Sequence, residues 1–195
     1  MPDGITRQKA IELAYKISSK LPVEFVLGQG TIPHITIYQA TFPNKNIEKL
    51  KDIVREIASQ TTPFEIEMGP FLANVGVPGF VWWNCIKTDI MNKVHLEIID
   101  RANPLREGLV PDNLKNYSGP EIGKKEIEGY GSLLVKERYS PHITITRIKN
   151  PDDSDKVMNI LGEEKSEFKA DKIVLGYLGD HGTVTGIIED FPLLS

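Results

Sequence analysis

One pentapeptide, Pro-His-Ile-Thr-Ile, occurs twice in this 195-residue chain, as Pro33-His34-Ile35-Thr36-Ile37 and as Pro141-His142-Ile143-Thr144-Ile145. Each copy reads as the start of a β-strand. Successive side chains on a strand point to opposite faces, so His34 and Thr36 share one face while Ile35 and Ile37 share the other. The second copy repeats the arrangement with His142 and Thr144. Each copy is expected to bury isoleucine and to present an imidazole beside a hydroxyl. Residues two apart on a strand lie about 6 to 7 Å apart, a span that one phosphate group bridges by hydrogen bonds to both side chains. Two such strands side by side make a site of two imidazoles and two hydroxyls.

Hydrophobic periodicity sets these copies in a longer plan. Ile5, Ile11, Ala14, Ile17 and Leu21 fall near helical spacing over residues 5 to 21, which predicts an amphipathic helix. A short strand follows at 23 to 27. Gly28-Gln29-Gly30 then leads into a first motif strand, 33 to 39, and Pro33 suits a strand's first position because it has no ladder hydrogen bond to donate. A helix over 46 to 59 carries Ile47, Leu50, Ile53, Val54 and Ile57, with Asn46 as its cap. Strands at 64 to 72 and 80 to 87 complete the first half.

The second half repeats the order, with a helix over 89 to 101, the second motif strand at 139 to 148, a helix over 152 to 162, and strands at 167 to 178 and 183 to 190. Phe64 and Phe168 occupy corresponding places. This predicts an internal duplication: one bilobal domain over 1 to 195, its lobes formed by about 1 to 88 and 89 to 195 with strands exchanged between them, related by a pseudo-twofold axis. Strands mixed with helices, without steady alternation, predict an α+β fold with two largely antiparallel sheets and helices outside. The stretch 103 to 131 holds Pro104, Pro111, Pro120 and five glycines, and reads mainly as a long loop of the kind that forms lids or binding segments.

Composition narrows the classes of function. No apolar run approaches the roughly 18 residues that span a bilayer, and Met1-Pro2-Asp3-Gly4 lacks the basic-then-apolar layout of a signal peptide, so a cytoplasmic protein without a membrane partner is expected. A single cysteine, Cys85, allows no internal disulfide and no cysteine-rich metal cluster, and reads as a small buried apolar residue. The net charge of -4 argues against a broad surface tracking long nucleic acid, which needs many lysine and arginine contacts. A nucleotide or one RNA end remains compatible as a partner, and a monomer is expected.

Histidine titrates near pH 6.5, so of two like imidazoles near neutrality one can be neutral and the other charged. Such a pair is a base and an acid. Opening a cyclic or diester phosphate needs one proton removed from the attacking oxygen and one delivered to the leaving oxygen, each transfer contributing about a hundredfold to ten-thousandfold. Two histidines do both without a metal or cofactor. Thr36 and Thr144 would donate hydrogen bonds to the non-bridging oxygens as charge builds on them. The competing reading keeps the fold and makes it a non-catalytic module that binds nucleotides or RNA ends. A histidine-triad hydrolase needs closely alternating histidines, and none of the four here alternate.

Two His-x-Thr-x motifs about a hundred residues apart, each followed by a helix, resemble the two-histidine phosphoesterase superfamily, which includes the 2′-5′ RNA ligase-like proteins and the 2′,3′-cyclic nucleotide phosphodiesterases. The resemblance covers most of the chain. It extends to Tyr139-Ser140-Pro141 before the second motif, to Leu178-Gly179-Asp180-His181-Gly182-Thr183, and to Phe191-Pro192-Leu193. It implies a bilobal fold with the four motif residues in a central cleft. It also implies metal-independent action on 2′-linked or cyclic phosphates, with catalytic roles for His34, Thr36, His142 and Thr144. For hydrolysis of a cyclic phosphate, His142 is taken as base and His34 as acid. Members commonly begin with an apolar strand before the first helix, whereas this chain starts almost at the helix; Ile37 and Ile145 stand where leucine is frequent.

Further candidates surround the motifs. Tyr38 shares the face of His34 and Thr36, as Thr146 shares that of His142, so both are expected to contact substrate. Trp82 and Trp83 face opposite sides of one strand; one belongs to the core, and Trp82 is the candidate to reach the cleft and stack on a base. Tyr130, with Arg138, comes from the lid-like stretch. His181 sits between glycines in a hairpin turn and reads as structural, and His95 is expected to be solvent-facing or half-buried on its helix.

Overall fold

The computed structural model describes residues 1–74 and 78–194. Along the chain run α1 (Gly4–Ser18), β1 (Val23–Val26), α2 (Ile47–Gln60), β2 (Phe64–Ala73), β3 (Phe80–Cys85), α3 (Asp89–Ala102), α4 (Glu121–Tyr130), β4 (His142–Ile148), α5 (Ser154–Leu161), β5 (Glu167–Ala170), β6 (Lys172–Leu178) and β7 (Val184–Pro192). The class is α+β, as predicted. Five strands pair antiparallel in the order β1-β4-β3-β2-β5, and β6 pairs with β7 in a separate two-stranded sheet. The expected strand over 167 to 178 breaks at Asp171, so that β5 pairs with β2 while β6 joins the other sheet.

The chain divides into two compact units, each drawing on both sequence halves. The first comprises Met1–Ile35, Pro63–Ile86 and Pro141–Asp190. Its five-stranded sheet packs one face against α1 and α5. That face holds Val81, Trp83, Ile143 and Ile145, all fully buried, and Trp83 lies 5.5 Å from the Phe71 ring. Asp3 starts α1 by accepting a 2.7 Å hydrogen bond from the Thr6 backbone N–H, which satisfies one of the amides a helix start leaves open. Cys85 is buried beside Met68, and desolvation pushes its thiol up to about 12, which makes it an inert apolar filler.

The second unit comprises Thr36–Thr62, Lys87–Ser140 and Phe191–Ser195. Leu50, Val54 and Ile57 of α2 supply its buried stripe, and α2 packs on α3. Asn46 does not cap α2: its amide donates to the carbonyl of Leu105 at 2.7 Å and to Glu107 at 3.0 Å. The stretch read as a long loop contains α4. Gly123 and Gly129 weaken its intrinsic propensity, but two buried charged groups hold it. The Arg106 guanidinium donates to the carbonyls of Leu109, Glu128 and Gly129, closing the helix's C-terminal end where Gly131 turns out at φ +66°. Glu126 accepts from the backbone N–H groups of Leu134 and Val135 and from Arg138 at 2.7 Å. Among the described residues no helix is long and apolar enough to cross a membrane.

Candidate active site

The two copies of the pentapeptide fold differently. His142 to Ile145 lie on β4, and exposure alternates as the repeat predicts, with His142 and Thr144 half-buried and Ile143 and Ile145 fully buried. The first copy is not a strand. Residues 33 to 39 form no ladder, and Ile32 makes only an isolated bridge to Val184. Pro33 has no N–H to give, and side chains take the carbonyls that a strand would use. His34 Nδ1 donates to the Ile32 carbonyl at 2.8 Å, the Tyr139 hydroxyl to the Thr36 carbonyl at 3.2 Å, and His95 Nδ1 to the Ile37 carbonyl at 2.6 Å. The expected burial of Ile35 and Ile37 is accordingly absent, and both are half-buried.

His34, His142 and Thr144 belong to the first unit, and the division between units falls between Ile35 and Thr36. Contacts within the first unit surround each of the two imidazoles. His34 bonds to the backbone of Gly182. The neighbouring His181, in the turn between β6 and β7, lies edge-on to Phe80 of β3 at 6.4 Å and stacks on Phe25 of β1 at 5.6 Å. Two residues further along β3, Trp82 stacks on His142, with ring centroids 3.9 Å apart and planes 16° from parallel. His181 thus sits in a turn, with φ +59°, as predicted.

Pairing between β3 and β4 fixes the row around His142. Asn84 is opposite His142 and Trp82 opposite Thr144, so these four share a face. The next step breaks the alternation, because Val81 pairs with Thr146 and Phe80 with Arg147. One step on β3 matches two on β4, a β-bulge that inserts an extra residue and reverses the parity beyond it. Thr146 is therefore not beside His142: it is fully buried and its hydroxyl donates to the Phe25 carbonyl at 2.5 Å. Arg147 takes the place expected for it, half-buried with its guanidinium over the Phe80 ring at 5.3 Å. Strict alternation could not find Arg147; a β-bulge leaves no mark in a period of two.

Burial also separates the titratable groups. Desolvation lowers the pKa of His34 below its ordinary value, more than its bonds to the Ile32 and Gly182 backbone raise it. Its Nδ1 faces a carbonyl and so carries the proton in the neutral ring, leaving Nε2 as the acceptor. In the second unit the Tyr38 hydroxyl donates to the Tyr130 carbonyl at 2.6 Å and lies 3.1 Å from Asn103 Oδ1, and burial pushes it up to about 12. The Tyr130 ring lies under the Lys136 ammonium at 4.9 Å. Both tyrosines are thus engaged with residues of their own unit. His95 is buried rather than solvent-facing, and stacks on Tyr139 with centroids 3.8 Å apart.

Comparisons with known proteins bear on the whole chain. A comparison with curated proteins finds no match. The crystal structure of TT0787 of Thermus thermophilus superimposes with a TM-score of 0.58 over 98% of this chain and 93% of that one, at 15% identity, which shows a shared fold. The family model of the 2′-5′ RNA ligase superfamily matches residues 27–182. Both pentapeptides and most of the chain lie inside that match, and the protein therefore belongs to the 2′-5′ RNA ligase superfamily.

Proposed function

We propose that this protein is a metal-independent phosphoesterase that acts on 2′,3′-cyclic phosphates or 2′-5′ phosphodiester bonds of nucleotides or RNA ends, using His34 and His142 as base and acid. The observation that carries the reading is the repeated histidine-threonine pair in a chain of this superfamily, with both imidazoles in one compact unit.

The environment of His34 supports giving it the base role, the reverse of the assignment made from sequence. Its depressed pKa keeps the ring neutral near pH 7, and its Nδ1–H bond to the Ile32 carbonyl makes Nε2 the nitrogen with the lone pair that takes up a proton. In hydrolysis, His34 takes a proton from the attacking water as the water oxygen bonds to phosphorus. His142 gives a proton to the ribose oxygen whose bond to phosphorus breaks. The roles exchange when the reaction runs toward bond formation. Thr36 and Thr144 donate to the non-bridging oxygens, and Arg147, on the face of His142, offsets their charge.

The test is a panel of 2′,3′-cyclic nucleotides, 2′,5′-linked dinucleotides and RNA ends, incubated in EDTA, with products identified by mass. His34→Ala and His142→Ala are each expected to cut turnover on the order of a hundredfold or more, with a bell-shaped pH profile in the parent protein. Full activity in either variant overturns the two-histidine reading. Turnover abolished by EDTA overturns the metal-independent one.

A further inference from the structure

The two histidines have the same neighbours in sequence, and each ring has an observed support. His34 is fixed by an in-plane hydrogen bond to a carbonyl two residues back. His142 is overlaid by an indole from the neighbouring strand, at 3.9 Å and 16° from parallel. Register explains the overlay: Trp82 pairs with Thr144 rather than with His142, so it is the diagonal neighbour of His142 on the same face, within reach of a large aromatic side chain.

We propose that Trp82 is a positioning residue for His142, its indole face fixing the plane of the imidazole so that the ring nitrogens keep one direction during proton transfer. This rests on the catalytic reading of His142 above. The imidazole's outer torsion is broad and roughly twofold, so a ring on a strand without lateral support swings through a wide arc. A flat surface against one face removes that freedom. Trp82 is itself only 6% exposed, packed in on its other sides. Trp83, its chain neighbour, points to the opposite face and is completely buried beside Phe71, which anchors this stretch of β3 from behind. The indole face turned to His142 is not open to a nucleobase.

The experiment compares Trp82→Leu and Trp82→Phe on a 2′,3′-cyclic nucleotide, with circular dichroism as the check of folding. It is paired with proton NMR of the His142 ring, assigned by its loss in His142→Gln. In the parent protein the His142 ring protons are expected to be shifted upfield by the indole ring current, and Trp82→Leu is expected to move them back toward ordinary histidine positions. Trp82→Leu is expected to lower kcat on the order of tenfold to a hundredfold with KM nearly unchanged, the cost of a misaligned proton donor. Trp82→Phe, which keeps a flat ring, is expected to restore most of the rate.

A rise in KM with kcat unchanged makes Trp82 a substrate platform and overturns the proposal. So does full activity in Trp82→Leu. If Trp82→Leu does not fold, Trp82→Phe and the parent spectrum decide, and an unshifted His142 ring in the parent is contrary to the stack. If the parent protein turns over no substrate in the panel, the function proposed above fails, while the NMR comparison still reports whether the indole orders the ring.

Discussion

The backbone N–H of Lys136 donates to Nε2 of His95 at 2.9 Å, while Nδ1 of the same ring donates to the Ile37 carbonyl at 2.6 Å. Both ring nitrogens are spent, one as acceptor and one as donor, so the neutral tautomer is the form that fits. Tyr139 stacks on that ring and its hydroxyl donates to the Thr36 carbonyl at 3.2 Å. A stacked pair thus holds two consecutive carbonyls of the first histidine motif, and one member, Tyr139, stands three residues before His142.

His95→Ala is expected to destabilise the fold by about 3 kcal/mol, because it leaves a buried N–H and a carbonyl unpaired and removes the stack on Tyr139. Chemical unfolding measures it. A loss below about 0.5 kcal/mol, the range of ordinary surface changes, would show that the pair is dispensable. Turnover is expected to fall as well, since Thr36 loses its support.

Stability is expected to fall as the solution is made acid. Burial is the largest cause lowering the pKa of both His95 and His34 from the ordinary 6.5. The unfolded chain therefore takes up protons near pH 6.5 that the folded chain refuses, so stability is complete above that value and is lost as pH drops toward the folded-state values. Urea midpoints measured across about pH 5 to 8 check this, and His95→Phe is expected to flatten the slope. A midpoint that does not change across the window contradicts it.

The contrast between the two pentapeptides shows what a sequence can and cannot convey here. On β4 the period of two is obeyed from His142 to Ile145 because strands flank it on both sides, β1 and β3. The same five residues at 33 to 37 have their carbonyls claimed by His95 and Tyr139, which are remote in sequence and carry no local signal. Likewise α4 was hidden by its glycines and prolines, while the Arg106 and Glu126 bonds that settle it come from tertiary structure. Apolar periodicity located α1, α2 and α3, and together with the repeated pentapeptide and the turn signals it located the strands of the main sheet, although β5 was expected to run on into β6. The histidines and threonines were legible because they recur; Arg147 was not, because the bulge that turns it is a property of strand pairing.

That bulge yields a prediction on Thr146. Its hydroxyl donates to the Phe25 carbonyl, tying β4 to β1 inside the core. Thr146→Val keeps the shape and removes the donor, and is expected to cost about 1 to 2 kcal/mol with catalytic turnover nearly unchanged. A large loss of turnover in a stable Thr146→Val protein would put the side chain back on the face of His142.

Asn84 provides the sharpest separation of stability from function. It lies opposite His142 on β3, and its Oδ1 is buried with no hydrogen-bond partner among the described residues. A buried acceptor without a donor costs about 1 to 3 kcal/mol, and an apolar group of the same shape avoids that cost. Asn84→Leu is therefore expected to be as stable as the parent or more so, and Asn84→Asp, which adds an unpaired charge at the same place, less stable. Because Asn84 lies opposite His142 on the same face, Asn84→Leu is also expected to lower turnover while it gains stability, the pattern of a group kept for function rather than for folding. Thermal unfolding and a turnover assay on the same preparations decide it. An Asn84→Leu protein that is less stable by more than about 1 kcal/mol would mean that the acceptor already has a donor in the folded chain.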